Sequence, residues 1–231
     1  RTSMRRTTRA ISFTRPGREV ITTTRSARLF AARTTQMLNL SDIARDLGVA
    51  VNTIKRWVSI LEASYIIFLL PPFYKNFGKR ITKSPKLYFY DTGLVSFLCG
   101  IRNRELFEEG PMRGALFENY VVAEIMKRET HAKEDSELFY LRTSNGVEVD
   151  VIIDRKTEQE YIEIKASETY RWEMTRAIEQ MKKETERGYL LYQGKGEHST
   201  PDLQIMNYKD YLSMKRIEQG VERRIKRKAR G

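Results

Sequence analysis

Apolar residues recur at helical spacing from Leu38 onward, in the stretch LNLSDIARDLGVAVNTIKRWVSILEASYIIFLL. Ile43, Ala44 and Leu47 share one face of a first helix, for which Ser41 is the expected N-cap and Gly48 the stop. A second helix carries Ile54, Trp57, Val58 and Leu61 on its apolar face, with Trp57 expected in the core. Asn52, Thr53, Lys55, Arg56 and Ser59 lie on the opposite face. The pattern then changes to strands: Tyr65 to Leu70, a Pro-broken loop carrying Lys75, Lys79, Arg80 and Lys83, and Lys86 to Tyr90. Two helices joined by a short Gly-containing turn and followed by a basic hairpin make a helix-turn-helix with a wing. In that reading the second helix enters a major groove and the loop lysines contact phosphates. A small helical core with a solvated polar face has the same pattern.

Downstream, RGALFENYVVAEIMKRE predicts a helix over about Gly114 to Lys127, with Leu116, Tyr120, Val121 and Ile125 inward and Glu118 and Asn119 on its polar side. Three strands follow: Leu138 to Arg142, Val147 to Ile153 and Tyr161 to Ala166. A helix over about Arg171 to Glu186 and a strand from Gly188 to Tyr192 complete the series. This order predicts an α/β chain in which helices flank a mixed sheet. Alternation places Val147, Val149, Val151 and Ile153 on one face of their strand and Glu148 and Asp150 on the other. In the next strand Ile162 and Ile164 pack, while Tyr161, Glu163 and Lys165 share the second face.

Composition changes this picture mainly at the ends. The 231 residues are 40% hydrophobic, enough for a substantial core, and carry a formal net charge of +12. That charge is concentrated: residues 1–39 hold nine Arg against Glu19, and residues 215–231 hold eight Lys or Arg against Glu218 and Glu222. The remainder is slightly acidic, so nucleic-acid binding by the body of the chain rests on local patches. Residues 1–28, rich in Arg and Thr, show no apolar period and are left unassigned. The basic tail 215–231 has only Ile217, Val221 and Ile225 as a stripe. Both ends are expected to add charge rather than core. The apolar run from Ala63 to Phe73 is too short to cross a bilayer, so no membrane partner is expected. Cys99 is the sole cysteine, which precludes an internal disulfide and fits a cytoplasmic setting.

The candidate chemistry lies on the predicted hairpin. If the strands bearing Asp150 and Glu163 pair, then Asp150, Glu163 and Lys165 converge, and Glu118 arrives from the preceding helix. Three carboxylates offer hard oxygens to Mg2+, and a lysine beside them can orient a nucleophile or offset charge developing on a phosphate. An ordinary half-buried hairpin with cross-strand Glu and Lys pairs shows the same spacing.

The stretch from Leu29 to Tyr208 resembles the C-terminal half of predicted prokaryotic AAA+ ATPases, in which a domain of unknown function follows the ATPase module. The matching strings are LSDIARDLGVAVNTIKRWVSILEASYIIFLLPPFYKNFGKRITKSPKLYFYDTGLVSFLCGI, GALFENYVVAEI, GVEVDVII and YIEIKAS. The resemblance implies a winged helix over 29–100 and a restriction-endonuclease-like domain of the PD-(D/E)xK kind over 101–214. It matches Glu118 to the first-helix acid, Asp150 to the central acid, and Glu163 with Lys165 to the terminal E-x-K. The implied function is DNA binding with a Mg2+-dependent nuclease site. The alternative is a non-catalytic module for nucleic acid or protein, regulated by an ATPase half; a homo-oligomer or an ATPase partner fits either. No Gly-x-x-x-x-Gly-Lys-Ser/Thr string occurs, so no ATP site is expected in these residues. Thr35 stands where the family usually has Gly, and residues 1–28 do not resemble the expected upstream segment. A frameshifted or misjoined start would account for them.

Overall fold

The computed structural model describes residues 16–73, 84–132, 135–156, 158–195 and 199–214, with side chains from Thr24 onward. The architecture is mixed α/β. Helices α1 (Pro16–Ala32), α2 (Leu40–Leu47) and α3 (Val51–Ala63) lead into a two-stranded antiparallel sheet, β1 (Ile67–Leu70) and β2 (Lys86–Phe89). Short helices α4 (Thr92–Leu98) and α5 (Arg104–Glu108) precede the long α6 (Arg113–His131). Strands β3 (Glu137–Arg142), β4 (Glu148–Asp154), β5 (Gln159–Lys165), β6 (Arg187–Tyr192) and β7 (Leu203–Asn207) then form one sheet in sequential order, antiparallel up to β5 and parallel beyond it. A 3₁₀ turn, Trp172–Thr175, runs into α7 (Arg176–Met181) between β5 and β6, and α8 (Tyr208–Ser213) follows β7.

Local chemistry fixes the α2–α3 unit. The Asn39 side chain caps α2 by accepting the Ser41 and Asp42 amides, so the cap lies two residues before the expected Ser41. Gly48 ends the helix with φ of 66°, a left-handed conformation that costs glycine nothing. Ile43, Ala44, Ile54 and Val58 close a core with Leu87 and Phe89, while Trp57 is half-buried at its border.

Helix α1 corrects the expectation that residues 1–28 add only charge. It runs through position 28 and brings Ser26, Phe30 and Ala31 into the interior, where small side chains let the helix approach closely. Arg and Thr between the apolar residues hide this period in the sequence. Phe30→Ala should cost about 3–5 kcal/mol, the usual penalty for truncating a fully buried phenylalanine, read by denaturant unfolding. Residues 1–15 and the tail 215–231 lie outside the described residues. Thr35, in the turn that follows α1, adopts φ of 65° while donating its amide to Leu87 O at 2.7 Å. A left-handed backbone is one that glycine adopts freely and a β-branched residue only with strain.

Two details of the large sheet differ from the alternation pattern. Between the pairs Phe139↔Ile152 and Leu141↔Val149, β4 uses one more residue than β3, a bulge that reverses its facing. Val149 therefore packs with Ile152, Leu141 and Tyr161 on the α7 side, whereas Val151 and Ile153 pack with Ile162, Ile164 and α6 residues. The helix expected over 171–186 is shortened, because the Glu186 carboxylate accepts the Lys183 amide at 2.7 Å and turns the chain into β6.

Helix α6 is covered on more than one side, so its polar residues are not where amphipathic spacing places them. Tyr120 is 40% exposed and meets Tyr208 edge-on, while Asn119 is fully buried. Asn119 accepts the Phe89 amide and donates to the Phe89 carbonyl, both at 2.8 Å, and it accepts the Thr34 hydroxyl. It thereby satisfies backbone groups at the open edge of β2 and fixes that strand against α6. The chain after β1 also bonds to β3: Phe73 donates to Tyr140 O at 2.7 Å, and Tyr140 donates to Pro71 O at 3.0 Å. The small sheet is thus pinned to both α6 and the edge of the large one.

Candidate functional site

At the end of the β4–β5 hairpin the ladder stops at Val151↔Ile162. Past that point the Asp150 carboxylate accepts the Ile164 amide at 2.9 Å, taking the place of a ladder bond. The side chain is thereby held over β5, which carries Glu163 and Lys165. Glu163 is paired with the Lys165 ammonium through one oxygen, and its other oxygen, Oε2, is buried with no hydrogen-bond partner. The charges of Asp150, Glu163, Lys165 and Glu118 act on one another, so the structure brings these four sequence-derived residues into one electrostatic cluster.

Glu118 is held differently from the other two acids. Its carboxylate accepts the Tyr88 hydroxyl at 2.6 Å and the Lys86 ammonium at 3.3 Å. Lys86 also lies 2.5 Å from Glu148 and 3.8 Å from Asp150. Among the described residues, no three acid, histidine or cysteine side chains stand as a group able to hold a metal ion. The physical reason is visible in these contacts: a lysine already stands between Glu118 and Asp150.

Electrostatics follow from this burial. Loss of hydration pushes the Glu163 carboxyl up to about 8, with the Asp150 charge adding to the rise and Lys165 opposing it. Glu118 is pushed up to about 7 by burial and then by Asp150, against the pull of Lys86 and Tyr88. Burial disfavours the Lys86 charge, but Glu118, Asp150 and Glu148 outweigh it and hold the ammonium above the ordinary lysine range. Lys165 is raised in the same sense by Asp150 and Glu163.

Mg2+ is commonly held by one or two carboxylates with waters completing its shell. Asp150 and Glu163 fit that requirement, because both offer hard oxygens and Glu163 has one buried oxygen left over. Sequence pattern did not single out Lys86, Tyr88 or Glu148 as site residues. The available signal was the alternation in KLYFY, where Lys86 and Tyr88 share a face between two apolar positions that pack elsewhere.

The candidate nucleic-acid face is simpler. Asn52, Lys55 and Arg56 are exposed on α3 and Thr53 is half-exposed. Lys75, Lys79, Arg80 and Lys83 lie outside the described residues. Among the described residues no helix is long and apolar enough to cross a membrane.

Comparison with known proteins matches the chain in two stretches. Residues 8–105 match a domain of unknown function (DUF8612), and residues 113–211 match another (DUF4143), typically the C-terminal region of AAA-ATPase-like proteins. Uncharacterized proteins of Mycobacterium tuberculosis and Mycobacterium bovis are each 32% identical over 134 residues, covering 58% of this chain. The matched stretch spans 30% of the length of each of those relatives. No solved structure matches.

Proposed function

We propose that the chain is a DNA-directed unit, a winged helix joined to a PD-(D/E)xK-like sheet that hydrolyses phosphodiesters with Mg2+. The observation that carries this reading is the pairing of Asp150 with an E-x-K strand whose Glu163 has a buried oxygen without a partner. A bound divalent ion would supply charge neutralisation at the phosphate and an activated water. Asp150 and Glu163 would hold it, with Glu118 closing the cluster through Lys86. Lys165, kept cationic by Asp150 and Glu163, would orient the attacking water or counter negative charge on the scissile phosphate. Asn52, Thr53, Lys55 and Arg56 would face the duplex, and Lys75, Lys79, Arg80 and Lys83 would serve as the wing's phosphate contacts. In a longer protein such a unit would work beside an ATPase module.

The test is strand scission of plasmid and branched DNA by the purified chain with Mg2+ or Mn2+, against chelator. Metal-dependent nicking supports the reading, and its absence across both substrates sinks it. Replacing Lys55 and Arg56 together by Ala should weaken duplex binding and lower the slope of log affinity against log salt by up to about 2, one unit per lost phosphate contact. An unchanged slope would remove α3 from the interface. A second reading is favoured by Lys86, which compensates Glu118 and Asp150 with no metal: a non-catalytic module that binds nucleic acid or protein. It predicts duplex binding or partner binding without scission.

A further inference from the structure

The Lys86 ammonium is enclosed by oxygens from two elements of the second half of the chain. Glu148 and Asp150 of β4 approach at 2.5 and 3.8 Å, and Glu118 of α6 at 3.3 Å. Glu148 and Glu118 are within hydrogen-bond reach of the ammonium, and Asp150 adds its charge at ion-pair distance. The side chain is 3% exposed, its nitrogen lies 5.5 Å from the centre of the Tyr140 ring, and Tyr88 ties Glu118 in place. A single enclosed cation among hard carboxylate oxygens is also the arrangement that a divalent ion seeks. The nitrogen therefore occupies such a position beside Glu118, Glu148 and Asp150, and Glu163, which is not among its partners, keeps one buried oxygen without a hydrogen bond.

We propose that Lys86 is the fixed second cation of the site, standing where a two-metal phosphodiesterase carries its other ion, so that this chain takes one divalent ion and no second. The inference rests on the phosphodiesterase reading above. It assigns to β2, in the segment matched by the first family, a charge that the acids of the second segment require. Both halves then build the site. Asp150 can serve both cations, because a carboxylate has about four lone-pair directions, the structure uses one for the Ile164 amide, and Lys86 stands at ion-pair distance, 3.8 Å, without taking another. Lys165 does not fill the same role, since it is paired with Glu163 rather than enclosed by Glu118 and Glu148.

Manganese titration of the full chain, following free Mn2+ by electron paramagnetic resonance, separates the outcomes. Wild type should bind one ion, Lys86→Met two, and Glu163→Gln should lose the wild-type ion. Mn2+ should also raise the melting temperature of Lys86→Met more than that of wild type. Two ions on wild type, or one on Lys86→Met at unchanged affinity, overturns the role of Lys86 while the phosphodiesterase reading stands. No ion on either protein overturns the phosphodiesterase reading and this inference with it. An ion on Lys86→Met alone means that Lys86 fills the chain's sole cation position, which overturns the assignment of an ion to Asp150 and Glu163. If Lys86→Met does not melt cooperatively, the double variant Lys86→Met with Glu118→Gln makes the same comparison, because it removes the buried cation together with a carboxylate it compensates.

Discussion

Asp150→Asn should abolish metal-dependent scission while leaving the chain folded. The expected loss is on the order of 10³-fold or more, since a catalytic ion contributes several kcal/mol to the transition state and each ~1.4 kcal/mol is tenfold in rate. Folding should survive because the asparagine oxygen still accepts the Ile164 amide that the carboxylate accepts at 2.9 Å. The lost charge also relieves Glu118 and Glu163, both of which are pushed up by Asp150. Stability should therefore stay level or rise, the opposite of what loss of an ordinary buried ion pair produces. Plasmid nicking and denaturant unfolding on the same preparation distinguish the cases. Scission that persists in Asp150→Asn at the wild-type rate would place the activity elsewhere, and a large loss of stability would make Asp150 a structural residue.

The sequence disclosed this site unevenly, for reasons that lie in particular residues. Glu163 and Lys165 were legible because strand alternation separates them from Ile162 and Ile164, which pack inward as expected. The bulge in β4 was not legible: Val149 and Val151 look equivalent in sequence, and only pairing with β3 sends them to opposite faces. Lys86 and Tyr88 were hidden for a different reason. A strand between two cores gives each face a packing role, and a lysine there is indistinguishable by pattern from one pointing to solvent. Asn119 shows the same limit on a helix, since its burial depends on the open edge of β2, a contact 30 residues away in sequence. Helix α1 was hidden because its period is carried by Ser26, Phe30 and Ala31, one of them polar. Local propensity and spacing place elements, whereas docking between them decides which polar side chains are enclosed.

In the absence of divalent ions, the folded chain should lose stability as pH rises from about 4.5 through 8. Glu118 and Glu163 have folded-state carboxyls pushed up to about 7 and about 8, both from 4.5. A group that binds its proton more tightly when folded stabilises the fold fully below the unfolded value, and that contribution disappears as pH passes the folded value. The groups facing these carboxyls set the window: Asp150 raises both, Lys86 and Tyr88 oppose the rise at Glu118, and Lys165 opposes it at Glu163. Both lysines are themselves raised and stay charged throughout, so they add no slope of their own between pH 4.5 and 8. A tenfold difference in proton affinity between folded and unfolded chain is worth about 1.4 kcal/mol, so the decline should amount to roughly a few kcal/mol. Glu163→Gln, a neutral side chain of the same shape, should remove the upper part of the decline and melt higher than wild type at pH 8. Mn2+ at pH 8 should restore stability to wild type but not to Glu163→Gln, because a cation favours the ionised carboxylate that burial alone opposes. Thermal melting from pH 5 to 9 measures all three effects. A wild-type melting temperature that climbs through this range, or a Glu163→Gln curve parallel to wild type, would mean that Glu163 is solvated and ionised in the folded chain and has no strained buried charge to offer a metal.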